Sequence, residues 1–147
     1  MSKRIALTAA LTAALAAIAV LALPATGHRP AQAKHLIAAM SGQEESPLGD
    51  PNGYGAARFE VLGRNVCFRI VAKQIEPTLV GHIHRGDPGA VGPPVVTLYT
   101  GDVPTRKRCV KATRALAREI ARFPARFYVN VHTQTFPDGA IRGQLTR

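Results

Sequence analysis

Tryptophan is absent from this 147-residue chain, and the other large aromatics amount to five phenylalanines and three tyrosines. Acids are scarce as well: nine stand against nineteen lysines and arginines, for a formal net charge of +10. The nine carboxylates are scattered, apart from the adjacent Glu44-Glu45, and none stands in a recognisable glycosidase motif. Neither a nucleophile elbow nor a phosphate-binding loop occurs. With Cys67 and Cys109 as the only cysteines, the chain is neither a multi-disulfide scaffold nor a four-cysteine zinc module.

Long apolar runs are lacking after residue 23, and the one that exists opens the chain. Lys3 and Arg4 precede an uncharged stretch, residues 5–23, that is mostly Ala and Leu and stops at Pro24. A positive start, an apolar stretch and small residues beyond it make a secretory signal peptide. Cleavage after Gly27 (Ala25-Thr26-Gly27) or after Ala33 (Ala31-Gln32-Ala33) fits the small-x-small rule. The second site is preferred, because strand-like patterning begins at Lys34. An uncleaved anchor is the alternative reading of a run this long, but its alanine content and its Pro/Gly/Ala-rich exit favour removal. The chain then divides into a signal peptide, residues 1–33, and one domain, residues 34–147, secreted or periplasmic. In such an oxidising compartment Cys67 and Cys109 are expected to form a disulfide, worth roughly 4 kcal/mol by loop entropy.

From Lys34 on, short strand-like runs alternate with Gly, Pro, Asp and Asn. Strands are expected at residues 35–40, 54–62, 66–72, 79–84, 95–99, 107–111, 126–133 and 140–146. Residues 41–53 read as a polar, turn-rich linker, and residues 85–94 as a shaped Gly/Pro loop. In residues 113–123 Leu116, Ile120 and Phe123 recur at helical spacing, with Thr113 as N-cap and Pro124 as stop. The expected fold is all-β: a Greek-key or immunoglobulin-like antiparallel sandwich or barrel with one short helix in a connection.

Three histidines fall in two of these strands. His82 and His84 share one face by strand parity, with Ile83 on the other. His132 shares parity with Tyr128 and Asn130, while Val129 and Val131 take the opposite face. If the two strands are neighbours, the three imidazoles converge, and neutral imidazole is the nitrogen ligand that zinc and copper prefer. The bland alternative is that the rings hydrogen-bond the adjacent loops. Asp87 and Asp138 lie in turns beside the histidines as candidate partners for the rings. Asn130 and Arg142 are expected to tie the C-terminal strands to the loop after His84.

Arg114, Arg118 and Arg122 recur every four residues and would line one helix face. With Arg106, Lys107, Arg108, Lys111 and Arg126 they set eight basic groups against a single acid, Glu119. That density suits an anionic lipid or polysaccharide surface, or else a solvated face of a basic protein. Export and the lack of aromatics among these arginines exclude nucleic acid as the expected partner. Arg85-Gly86-Asp87 spells an adhesion tripeptide, but it begins the Gly/Pro loop and is read as coincidence. Nothing in the sequence sets the oligomeric state.

The blocks around these residues resemble the CHRD domain family, common in secreted bacterial proteins. They are Gly81-His82-Ile83-His84-Arg85-Gly86-Asp87-Pro88-Gly89, Pro94-Val95-Val96-Thr97-Leu98, Tyr128-Val129-Asn130-Val131-His132-Thr133, and Phe136-Pro137-Asp138-Gly139-Ala140-Ile141-Arg142-Gly143-Gln144-Leu145. Ser41-Gly42-Gln43-Glu44-Glu45-Ser46-Pro47 resembles the family's opening motif, with Ser46 where Val is usual. The resemblance implies an immunoglobulin-like β fold and says little about activity. A weaker similarity links Gly81-x-His82-x-His84 to the copper-binding strand of copper/zinc superoxide dismutase, with His132 in the place of a later copper ligand. The histidines and aspartate of a bridged zinc site are missing, so the likeness implies at most a mononuclear copper or zinc site. The resulting expectation is an extracytoplasmic binding protein with a metal on His82, His84 and His132. The alternatives are an envelope-binding module using the basic helix, and a metal-dependent redox enzyme.

Overall fold

A computed structural model describes residues 32–147. The signal-peptide reading falls on residues 1–33 and so lies almost wholly outside them. Among the described residues no helix is long and apolar enough to cross a membrane.

Eight strands form one antiparallel sheet: β1 (Lys34–Ser41), β2 (Tyr54–Leu62), β3 (Asn65–Lys73), β4 (Thr78–Arg85), β5 (Pro94–Thr100), β6 (Arg108–Lys111), β7 (Phe127–Thr133) and β8 (Ile141–Gln144). The order across the sheet is β5-β4-β7-β8-β1-β2-β3-β6, and the two edges curl toward each other into a nearly closed barrel. A single helix, α1 (Arg114–Arg122), lies in the connection from β6 to β7. The expected all-β barrel or sandwich with one helix is therefore the fold.

Alternation explains which way each strand faces. Leu36, Ala38 and Met40 of β1, Ala57, Phe59 and Val61 of β2, and Val66, Phe68 and Ile70 of β3 all point into the core. Their neighbours Ile37, Arg58, Arg69 and Val71 point to solvent, as a period of two requires. Gly63, at φ +63, makes the β2–β3 turn in a left-handed conformation that glycine adopts without strain. Phe68 bridges the barrel interior, its ring 6.5 Å from Phe59 on β2 and 6.3 Å from Tyr99 on β5. Truncating so large a buried ring to Ala costs about 4 kcal/mol in cavity and lost contacts.

The helix starts where Thr113 Oγ1 accepts the Leu116 amide at 3.2 Å. It buries Ala117 and Ile120 completely, with Leu116 and Ala121 half-buried. Phe123 departs from the expected apolar face. It is the C-cap, its φ of −130° turns it off the helix axis, and it lies 44% exposed between the guanidinium groups of Arg122 and Arg126.

Cys67 and Cys109 stand directly opposite each other and join β3 to the four-residue edge strand β6 by a disulfide. At the other side of the sheet, Ile37 and Thr146 form a bridge and the Leu145 amide reaches Phe127 O at 2.9 Å. Among the described residues the buried core runs from Leu36 to Leu145.

The segment expected to be a linker, residues 41–53, is instead packed. Asp50 N binds Ala140 O and Gly49 N binds Gly42 O, both at 2.9 Å, and Glu45 is only 6% exposed. Its many turn residues shape a cover over β7 and β8 rather than a free connection.

Candidate metal centre

β4 and β7 are adjacent, and their register sets His82 opposite Asn130, His84 opposite Tyr128 and Val80 opposite His132. Residues opposite each other share a face, so the three histidines gather on one side with Tyr128 and Asn130. β8 adds Arg142 opposite Asn130 and Gln144 opposite Tyr128. On the reverse side Ile83, Val129 and Val131 are fully buried in the core.

The three rings each offer one ligand nitrogen, and all three nitrogens lie within 4.8 Å of one another. His82 Nδ1 and His132 Nε2 are 3.2 Å apart and hydrogen-bonded, His82 donating if His132 carries its proton on Nδ1. Metal–nitrogen bonds of about 2.0–2.1 Å put tetrahedral ligand atoms about 3.3 Å apart, so this pair already has that spacing.

Two main-chain carbonyls decide which nitrogens are free. His84 Nδ1 is 2.9 Å from Gly92 O, and His132 Nδ1 is 2.8 Å from Pro137 O. A carbonyl oxygen only accepts, so both rings carry their proton on Nδ1 and present the Nε2 lone pair inward. His84 Nε2 is buried and has no hydrogen-bond partner. Orienting a ligand histidine through its second nitrogen is the usual arrangement around bound metals. A glycine is needed at position 92, because a Cβ there would sit 1.6 Å from Arg85 O.

The electrostatics favour the neutral form of His82 and His84. Burial, then the charges of His132 and His84, push His82 down to about 4. Burial also lowers His84, with His132 and Arg142 adding to the shift and the Gly92 hydrogen bond opposing it. Neutral imidazole is the ligating form, so near pH 7 protons compete weakly for these two rings.

Behind the histidines lies a polar layer. Tyr128 stacks on His84 at 4.9 Å, and the Arg142 guanidinium lies 4.2 Å over the other ring of that stack, Tyr128. Arg142 is 2% exposed and its Nη1 donates to Ala90 O at 3.0 Å, which links β8 to the loop after β4. Asn130 does not reach that loop. Its Nδ2 donates to both carboxyl oxygens of Glu45, at 2.9 and 3.1 Å. Burial holds Glu45 up at about 8, despite Arg142 and the Asn130 hydrogen bond. Gly139, at φ +146, closes over this pair, since a Cβ would meet Glu45 Oε1 at 2.5 Å.

The sequence reading did not single out Glu45; its only signal was a place in the block 41–47. The carboxylates of Asp87 and Asp138, expected beside the rings, are exposed, and main-chain carbonyls take that role instead. Arg114, Arg118 and Arg122 are exposed on α1 and take no part in the cluster. The adhesion-like tripeptide has its arginine engaged: Arg85 forms a two-pronged ion pair with Glu119 and lies 4.9 Å over the Phe127 ring.

Fold and site together define an antiparallel β-barrel with a histidine-lined polar face roofed by loops. The family model described as the CHRD domain matches residues 36–145, and the chain belongs to that family. No curated protein and no solved structure matches it.

Proposed function

We propose that this CHRD domain is an extracytoplasmic metal-binding protein that holds one copper or zinc ion on His82, His84 and His132. The observation that carries the reading is the buried, unpartnered Nε2 of His84, facing a cluster in which carbonyls have fixed two of the three tautomers. Three nitrogen ligands leave a position for water or a small ligand. Turnover at that position would make the same site a metal-dependent redox enzyme. The leader-like residues 1–33 and the Cys67–Cys109 disulfide support export to the periplasm or the medium.

The test is metal titration of residues 34–147, purified without a histidine tag. One equivalent of tightly bound copper or zinc is expected, lost in His82→Ala/His84→Ala/His132→Ala. No uptake by a folded sample overturns the reading.

A second reading has separate support. Arg114, Arg118 and Arg122 are exposed on α1, and none takes part in a salt bridge among the described residues. Here the domain is an envelope-binding module, its helix facing anionic lipid or polysaccharide and its histidines structural. The triple histidine variant would then keep its surface binding.

A further inference from the structure

The outer face of β1, β2 and β3 stands apart from both sites. Its registered rows read Ile37–Arg58–Arg69, Ala39–Ala56–Val71 and Ser41–Tyr54–Lys73. Among the described residues nothing covers it: Ile37, Tyr54 and Val71 are 50%, 52% and 47% exposed.

Arg58 and Arg69 face each other directly across the β2–β3 ladder. Like charges in that relation destabilise a sheet, and the usual partner of a cross-strand arginine is an acid. The one acid nearby in register is Glu60. It is already bound to Lys107 and lies 3.8 Å from His35. Neither arginine belongs to an ion pair among the described residues. Both line an open cavity, together with His35, Lys107 and the Glu60 carboxylate that Lys107 binds. An anion there would relieve the repulsion, and two guanidinium forks suit phosphate oxygens.

The surroundings select the anion's source. Beside the arginines on the sheet face lie Ile37, Ala39, Ala56 and Val71, with Lys73 at that end and Glu60 and Lys107 at the other. Exposed aliphatics beside unneutralised cations suit the headgroup layer of an anionic bilayer. A polysaccharide would find one ring, Tyr54, to stack on. A second copy packed by two-fold symmetry would bring arginines against arginines.

We propose that the outer face of β1–β2–β3 is a docking surface for an anionic lipid bilayer. Arg58 and Arg69 take lipid phosphates, while Ile37 and Val71 rest in the headgroup layer. This contact does not involve the helix arginines and does not depend on a metal.

The experiment is sedimentation of residues 34–147 with vesicles of phosphatidylglycerol and phosphatidylcholine in equal parts. Binding is expected there and not to phosphatidylcholine alone, and high salt should release it. At about fivefold per arginine near a membrane surface, Arg58→Gln/Arg69→Gln should weaken binding about thirtyfold. Ile37→Ser/Val71→Ser should weaken it about tenfold through lost apolar contact. Arg58→Lys/Arg69→Lys, with its charge kept, should retain most of the affinity, and Arg114→Gln/Arg118→Gln/Arg122→Gln should bind as well as the parent. The proposal is overturned by any of four results: no vesicle binding at all, undiminished binding in Arg58→Gln/Arg69→Gln, loss confined to the helix variant, or arginine-dependent binding to heparin without vesicle binding.

Discussion

β4, β7 and β8 carry histidine, tyrosine, asparagine and arginine on the face away from the core, whereas β1, β2 and β3 carry isoleucine, valine, alanine and arginine in the equivalent position. Both halves obey the same alternation, and their inner faces meet in one core. The difference lies above the outer faces. Loops 42–53, 86–93 and 134–140 roof the first half, so its polar groups sit out of water and must satisfy one another. The second half has no such roof among the described residues, and its arginines stay in solvent. A buried imidazole or carboxyl is pushed toward neutrality, as His82 and Glu45 are. An exposed arginine pair keeps its charge and its need for an anion. Two arginines in one small domain thus have opposite roles: Arg142, 2% exposed, is a structural tie, while Arg58 is available to a partner.

The comparison can be broken most forcefully in the unroofed half. Cys67→Ala/Cys109→Ala removes the cross-link that holds β6 and should cost about 4 kcal/mol in urea unfolding. Metal stoichiometry should survive in whatever fraction stays folded, because the roofed half does not use the bond. Gly139→Ala strikes the roof itself. A side chain at φ +146, aimed at Glu45, should cost about 3 kcal/mol and weaken metal affinity, as read by isothermal titration.

Glu45→Gln sharpens the contrast through pH. Between its ordinary value of 4.5 and about 8, the native carboxyl keeps a proton that the unfolded chain has released. The native state binds more protons in that window, so stability falls as pH rises through it. The histidines still titrate in the unfolded chain around pH 6.5, but they do so alike in the parent and in Glu45→Gln, so the difference between the two isolates Glu45. From about pH 6.5 to about pH 9 the parent should lose on the order of 2 kcal/mol relative to Glu45→Gln in urea melts. A parent as flat as the variant would mean that Glu45 is ionised in the fold. The smallest effect belongs to Arg58→Glu. It turns a like-charge cross-strand pair into an opposite one and should stabilise the sheet by about 0.5 kcal/mol while weakening vesicle binding about thirtyfold.

Strand positions were legible because alternation is local. Val66, Phe68 and Ile70 announce an inward face without help from any distant residue. The histidine cluster was legible for the same reason, once β4 and β7 proved to be neighbours. Glu45 was not legible. Its partner Asn130 lies 85 residues away, and burial of an acid cannot be seen in a polar, turn-rich window. The partners of the rings were hidden differently. Gly92 O and Pro137 O are main-chain atoms, and no residue type advertises where a carbonyl will point. Sequence logic favoured the nearest carboxylates, Asp87 and Asp138, which remain in solvent because the turns that carry them face outward. Phe123 misled for a third reason: helical spacing counts a residue that the C-cap has already turned away.

The bridge between Ile37 and Thr146 has a consequence for when the molecule can come into being. β1 needs β8 beside it, so the first strand waits for nearly the last residues before its second edge is paired. Contacts of such long range are slow to form and give little reward to a half-made chain. A chain still lacking its last residues, as during synthesis from the N-terminus, would therefore leave that edge of β1 open and the barrel unclosed. The topology itself postpones closure of the barrel until the whole domain has been made.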